Sequence, residues 1–203
     1  MNLSKIVCVG RNYREHAREL GNEVPKEPLI FLKPPSSVVA NGHTVRLPSL
    51  SKQVEYEGEI GVVIGRRIRR VSPEEARAAI AGIVAVNDVT ARDLQRTDGQ
   101  WTRAKGFDTF CPVGPPAEPP RDLSTLTVVT RVNGQERQRG QASEMVFSIP
   151  ELLAFISNVM TLEPGDLVAT GTPAGVGTLA PGDEVEVEVV GVSRVSNPVA
   201  ADA

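Results

Sequence analysis

The chain has 203 residues, 40% hydrophobic and 23% charged, with 22 Lys and Arg against 25 Asp and Glu, for a net charge of −3. That length supports a sizeable core, and a slightly acidic chain whose one basic run is Arg66-Arg67-Ile68-Arg69-Arg70 is no generic nucleic-acid binder. No apolar stretch reaches bilayer length, the N-terminal ten residues read as a strand and not as a signal peptide, and Cys8 and Cys111 sit in apolar sequence with no pairing pattern, so buried thiols in a reducing, cytoplasmic setting are expected.

Residues 6–10 read as a buried strand ending in glycine. Residues 13–20 form a short helix that puts His16 and Glu19 on one face, and Pro25 and Pro28 stop it. A strand over 29–32 is closed by Lys33-Pro34-Pro35, and Asn41-Gly42 marks a turn, with His43 a solvated neighbour. Residues 54–64 alternate, which predicts one extended strand with Glu55, Glu57 and Glu59 on one face and Val54, Tyr56, Ile60 and Val62 on the other. Ser72-Pro73-Glu74-Glu75 is a capping box with proline at the first helical position and predicts a helix over 73–81.

An apolar strand over 83–87 runs into Asp88, followed by a helical turn over 91–95 and a polar loop over 96–99. The proline-rich stretch 113–120 is a surface connector. Residues 126–132, the Asn133-Gly134 turn and a polar arm predict a hairpin. Ser148 begins an amphipathic helix over Ile149–Val159. Pro164-Gly165-Asp166 and Pro181-Gly182-Asp183 are turns that feed strands over 167–170 and 184–190. Strands outnumber helices and no βαβ unit recurs, so the fold class is α+β with antiparallel or mixed sheet.

Glu57, Glu59 and Asp88 offer three hard oxygen ligands, a set that favours Mg²⁺, Mn²⁺ or Ca²⁺ over zinc; a solvated acidic face explains the run equally well. His16 beside Glu19 is a general base with an orienting partner, or a surface pair on a helix that also carries Arg14, Glu15 and Arg18. Arg92, Gln95 and Lys105 form a polar set. Arg92 stands four residues after Asp88, spacing that predicts a salt bridge between them; Lys105, between Trp101 and Phe107, either snorkels or neutralises a specific group. The turn Thr170-Gly171-Thr172-Pro173-Ala174-Gly175-Val176-Gly177 can present N–H groups to an anion, and it is neither a Walker loop nor a Rossmann fingerprint.

Gly10-Arg11-Asn12-Tyr13 with His16 and Glu19, Phe31-Leu32-Lys33-Pro34, Glu57-Gly58-Glu59-Ile60-Gly61, Asn87-Asp88-Val89-Thr90-Ala91-Arg92-Asp93, Lys105-Gly106-Phe107-Asp108 and the glycine-rich turn resemble, in order, the fumarylacetoacetate hydrolase family. The likeness is strongest to its short acylpyruvase branch. It implies a β-rich roll of mixed sheets with flanking helices, a single catalytic domain over 1–203 with a lid-bearing arm before about residue 50, and a homodimer. It implies Mg²⁺, with Mn²⁺ or Ca²⁺ as alternatives, held by Glu57, Glu59 and Asp88. A dyad of His16 and Glu19 would activate water, Lys105 and Gln95 would stabilise an oxyanion, and Arg11, Arg92, Gly171 and Thr172 would contact a small 2-oxo acid. The implied reaction is C–C hydrolysis of an acylpyruvate or fumarylpyruvate through an enolate. Oxaloacetate decarboxylation and hydroxymuconate-type isomerisation are alternatives on the same scaffold. The chain departs from that pattern mainly over 96–100 and before Leu126, which weakens the substrate assignment. A non-catalytic domain around structural Ca²⁺ competes with all of these; a cupin-like centre is disfavoured by the presence of only two histidines.

Overall fold

In the computed structural model, which describes residues 3–19, 21 and 23–202, turns cut the chain into short strands. In chain order these are β1 (Ile6–Gly10), β2 (Leu29–Lys33), β3 (Val38–Ala40), β4 (Val45–Leu47) and β5 (Val54–Tyr56). They continue with β6 (Gly58–Ile64), β7 (Ile80–Asn87), β8 (Thr90–Ala91), β9 (Cys111–Val113) and β10 (Thr127–Val132). The last five are β11 (Gln135–Gln141), β12 (Leu167–Ala169), β13 (Gly177–Thr178), β14 (Glu184–Val189) and β15 (Ser193–Ala201). The helices are α1 (Arg14–Glu19), α2 (Pro73–Arg77), α3 (Arg92–Thr97), α4 (Thr102–Lys105) and α5 (Ile149–Val159).

Three sheets result, as the α+β reading expects. The largest is a curled sheet in the order β2-β1-β12-β6-β7-β9-β3; the second is β11-β10-β14-β15-β4, and the third is β13-β5-β8. The N-terminal segment is woven into the large sheet, because β1 pairs with both β2 and β12. Both faces of that sheet are buried. Val7, Ile60, Val62, Ile83 and Val168 pack with α5 and with Val128, Val187 and Val195 of the second sheet, while Cys8, Val63, Val84, Val86 and Cys111 form a separate cluster. At Gly61 an added Cβ would lie 2.4 Å from Val86 Cγ2 and 2.6 Å from Val84 Cγ2, so only glycine lets β6 and β7 approach this closely.

Local chemistry places the flanking elements. The side chain of Ser148 with Glu151 caps α5, and Ser72 with Glu75 caps α2. Leu152, Leu153 and Ile156 turn the buried face of α5 to the core. Asn133 (φ 52°) and Gly134 (φ 76°) both take left-handed conformations and close the β10–β11 hairpin. Cys8 and Cys111 are free and buried, as expected, and burial pushes the Cys111 thiol up to about 12. Among the described residues no helix is long and apolar enough to cross a membrane.

Several boundaries differ from the sequence reading. The expected continuous strand over 54–64 breaks at Glu57 into β5 and β6, and neither has a solvated face, since all residues of both are buried. The expected helix over 73–81 ends at Arg77, because residues 79–80 turn back toward the sheet, where Ala79 O accepts from Gly65 N. Residues 96–97 belong to α3, and α4 follows where no helix was expected. The connector 113–120 begins inside β9 and is tied to β7 by a bridge between Ile83 and Ala117. In the helix expected over 13–20, Leu20 lies outside the described residues.

Candidate metal centre

The break at Glu57 creates the site. The Glu57 N–H leaves the strand ladder and donates to Asn87 Oδ1 (3.0 Å), while the Asp88 N–H donates to Glu57 O (2.8 Å). Two interrupted strands thus lock to each other at the residues that carry the carboxylates, and Glu59 follows two positions along β6. One carboxylate oxygen from each of Glu57, Glu59 and Asp88 lies within 4.8 Å of the others, and all three side chains are buried.

Cations surround the triad. Lys105 Nζ donates to Glu57 Oε2 (2.8 Å) and Asp88 Oδ2 (2.6 Å), and Lys33 Nζ donates to Asp88 Oδ1 (2.7 Å) and Val89 O (3.1 Å). Arg92 donates through Nε to Glu55 Oε2 (2.7 Å) and through Nη2 to Glu57 Oε1 (2.5 Å). The expected salt bridge between Arg92 and Asp88 is therefore not formed: Arg92 opens α3 and reaches β5, and lysines occupy both oxygens of Asp88. Burial alone would raise the Glu57 carboxyl, but Lys105 and Arg92 outweigh it and hold that carboxyl well below the usual range. Burial likewise opposes the charge on Lys105, and Asp88 and Glu57 prevail and raise it.

Glu59 is the exception. Burial, then Asp88 and Glu57, push its carboxyl well above the usual range, and the Gly171 N–H on its Oε2 (2.7 Å) offsets this only in part. Four buried carboxylates, Glu55, Glu57, Glu59 and Asp88, face three buried cations, Lys33, Arg92 and Lys105, which leaves one formal negative charge. A cluster of oxygen donors short of positive charge, with no nitrogen or sulfur ligand in it, fits a hard divalent cation such as Mg²⁺, Mn²⁺ or Ca²⁺.

A cleft opens over this cluster, lined by Glu57 and Glu59 together with Arg11, His16, Gln95, Trp101, Lys105 and Thr172. His16 is buried, and its Nδ1 lies 3.3 Å from Glu19 Oε2. Burial lowers the imidazole pKa, opposed by Glu57 and Glu19, so the ring is neutral near pH 7 and able to accept a proton. Glu19 accepts the Gly175 N–H on Oε1 (3.0 Å) and Oε2 (3.2 Å), which docks α1 on the glycine-rich turn. That turn does present N–H groups to anions, as its sequence suggests. The anions are the protein's own Glu59 and Glu19.

The remaining expected residues divide. Thr172 reaches the cleft, donates to Gly58 O (2.9 Å) and accepts from Gln138 Nε2 (2.8 Å). Gln95 Oε1 accepts from Arg92 Nη1 (2.5 Å), leaving its amide N–H groups for a ligand. Gly171 does not line the cleft; it holds Glu59 in place. At φ +102°, with an added Cβ only 2.7 Å from Asn12 Cβ, position 171 accepts no side chain. Gly171→Ala is expected to move the N–H off Glu59 and weaken divalent-cation binding roughly 10- to 100-fold. Calorimetric titration with Mn²⁺ checks this, and parental affinity would refute it.

Four positioning residues have no role in the sequence reading, although Asn12, Lys33 and Asn87 stand in the motifs that carry the family likeness. The sequence places Lys33 only at the end of a strand, although a lysine closing the apolar run of β2 poses the same question as Lys105. Asn12 donates to Thr170 O (2.8 Å) and accepts from Phe147 N (2.9 Å), fixing the segment between β1 and α1. Asn87 orients Glu57. Gln138 staples Gly58 to Thr172 from a hairpin arm that looks uniformly polar, so nothing in its sequence marks it.

Comparison with known proteins adds to this geometry. The family described as Fumarylacetoacetate (FAA) hydrolase C-terminal matches residues 5–200. The chain is 44% identical over 211 residues to the oxaloacetate tautomerase YisK of Bacillus subtilis, covering 96% of this chain and 69% of that one. It is 42% identical over 195 residues to a mitochondrial oxaloacetate decarboxylase of Dictyostelium discoideum, covering 93% and 89%. A solved structure of 5-carboxymethyl-2-hydroxymuconate delta-isomerase from Mycobacterium smegmatis superposes with a TM-score of 0.92 at 45% identity, covering 99% of this chain and 80% of that one.

Proposed function

Because the chain belongs to the fumarylacetoacetate hydrolase family, we propose that it is a divalent-metal-dependent enzyme that moves a proton at the carbon beside a 2-oxo group, interconverting keto and enol forms of a small acid such as oxaloacetate. The observation that carries this reading is the buried Glu57, Glu59 and Asp88 triad under the same cleft as a neutral, carboxylate-oriented His16. The names of the relatives support it. Tautomerisation, decarboxylation and hydroxymuconate isomerisation share one requirement, a 2-oxo acid stabilised in its enol form.

Glu57, Glu59 and Asp88 would hold the cation, which would supply Lewis acidity toward the substrate's 2-oxo oxygen. In the keto-to-enol direction His16 takes the proton from the carbon, and a proton is delivered to the 2-oxo oxygen. In the reverse direction the enol O–H proton is released and His16 protonates the carbon, with Glu19 fixing the ring tautomer. Lys105 spends two N–H donors on Glu57 and Asp88 and has a third for the developing oxyanion. Gln95 adds another donor, and a preorganised donor of this kind is worth roughly 3 kcal/mol of barrier. Arg92 holds Glu57 and Glu55 in register and needs no substrate contact. With α1 docked, His16 is shielded from bulk water, which favours proton return to carbon.

A second reading, C–C hydrolysis of an acylpyruvate, is favoured by one feature: the His16 and Glu19 pair is equally suited to taking a proton from water. Following the ultraviolet absorbance of enol-oxaloacetate and the cleavage of acetylpyruvate in parallel separates the two. Chelation is expected to stop enol–keto conversion, and Mg²⁺ or Mn²⁺ to restore it, with acetylpyruvate cleaved more slowly. Faster acetylpyruvate cleavage would reverse the ranking. An ion that shifts only the melting temperature, with no turnover of either substrate, would leave a metal-stabilised binding domain.

A further inference from the structure

We infer that Tyr56 is the positioning residue for the base: its hydroxyl latches the glycine-rich turn that grips Glu19, and through Glu19 it fixes His16 above the acidic cluster. The inference rests on the reading of His16 as the base and names the residue that places it. Residue 175 is the crossing point. Its N–H donates to both oxygens of Glu19, at 3.0 and 3.2 Å, and its carbonyl accepts from Tyr56 Oη at 3.0 Å. Glu19 in turn lies 3.3 Å from His16 Nδ1. The two polar groups of one residue therefore join α1 to β5.

Nothing local fixes that residue. Gly175 has φ 98°, and an added Cβ would lie 2.2 Å from Arg137 O, so β11 leaves no room for a side chain. Glycine imposes little of its own on the backbone, and its partners set its conformation. Gln138 holds the turn upstream, through Thr172 and Pro173 O, and the pairing of Gly177 with Tyr56 holds it downstream. Between these two points, among the described residues, the Tyr56 hydroxyl alone donates to the carbonyl of residue 175. Burial raises the phenol pKa, Arg137 opposes this and Glu19 adds to it, so the hydroxyl keeps its proton and donates.

The alternation of β5 explains why the latch stands at this position. Glu55 and Glu57 both receive Arg92, while Val54 and Tyr56 belong to the apolar cluster of Val89, Leu179 and Val185. Four consecutive residues thus place a carboxylate of the acidic cluster on one face and the latch on the other. α1 has only six residues, too few to hold a position by itself. The placement of the base over Glu57 is set by this short buried segment.

Tyr56→Phe removes only the hydroxyl, and two measurements read the effect. The first needs no turnover. The chain has two histidines, His16 at 4% exposure and His43 exposed, so diethyl pyrocarbonate labels His43 directly and His16 only when α1 lifts. Mass spectrometry should show His16 labelled about tenfold faster in Tyr56→Phe, the weight of one hydrogen bond, at an unchanged His43 rate. Val54→Ala loosens the same apolar cluster without touching the hydroxyl and should leave the His16 rate parental. The second measurement is a cycle with Glu19→Ala on the Mg²⁺-loaded protein. Tyr56→Phe is expected to lower kcat for enol–keto conversion of oxaloacetate about tenfold at unchanged Mn²⁺ affinity, and to cost nothing further once Glu19 is replaced. Parental labelling of His16 in Tyr56→Phe, equal acceleration in Val54→Ala, or a loss of kcat that adds in full to that of Glu19→Ala overturns the assignment. A parent that converts no 2-oxo acid, with His16 still released in Tyr56→Phe alone, would bring down the catalytic reading while the latch itself stood.

Discussion

Asp88→Ala is expected to abolish turnover and to lower unfolding free energy by about 3–5 kcal/mol, the usual consequence of removing one partner from a buried ion pair. Asp88 receives Lys33 on one oxygen and Lys105 on the other, and both lysines are 1% exposed. Without it, Lys33 keeps only the Val89 carbonyl, and Lys105 keeps only Glu57. Two buried ammonium groups then share too few anions. Cation binding loses one of three ligands at the same time, and the several kcal/mol of transition-state stabilisation a metal supplies corresponds to about a thousandfold in rate or more. The two effects separate experimentally. Urea unfolding in excess chelator reads the stranded lysines alone, and calorimetry with Mn²⁺ reads the ligand set. Asp88→Asn keeps the shape and one acceptor oxygen, so it should lose turnover with a smaller stability penalty. An Asp88→Ala protein that unfolds within about 1 kcal/mol of the parent in chelator and still binds Mn²⁺ normally would show that the centre lies elsewhere.

Much of this acidic cluster was legible because its residues carry strong local patterns. Glu57 and Glu59 stand out in an apolar strand, and His16 and Glu19 share a helix face whatever surrounds them. The hairpin at Asn133-Gly134 and the capped helix Ile149–Val159 follow from turn and cap chemistry that acts within four residues. Long-range pairing was not legible. Spacing assigned Arg92 to Asp88, but the partner of a cation is set by which strands meet, and the break at Glu57 brings Arg92 to β5. Lys33 is remote in sequence from Asp88 and becomes its partner only when β2 joins the large sheet. The long strand β15 was missed because its inward positions include Ser193 and Asn197, polar residues that blur the alternation. Gly171 was read as a ligand contact, and it instead solves a backbone problem created by Asn12.

His16→Gln should reduce turnover by roughly 10²- to 10⁴-fold, the range expected for a general base, while Mn²⁺ affinity and melting temperature stay near parental values. The centre below does not depend on His16 for structure: Glu57, Glu59 and Asp88 are tied by Lys33, Lys105, Arg92 and the Gly171 N–H. α1 stays docked through Glu19 and Gly175. The pH profile supplies an independent check. Burial lowers the His16 pKa below the usual imidazole value of 6.5, and the opposing pull of Glu57 and Glu19 does not restore it. In the proposed reaction the neutral ring is the active form, so kcat/KM should rise with pH through an inflection below 6.5 and be flat at neutrality. Stability follows the same sign. A depressed folded-state pKa means that the unfolded chain binds the proton more readily, so His16's contribution is complete above its unfolded value and is lost as pH falls through the folded one. In His16→Gln the residual rate should lose that acid inflection. If the inflection persists at the same pH, another group carries the proton, and the cleft has a base that neither α1 nor Glu19 supports.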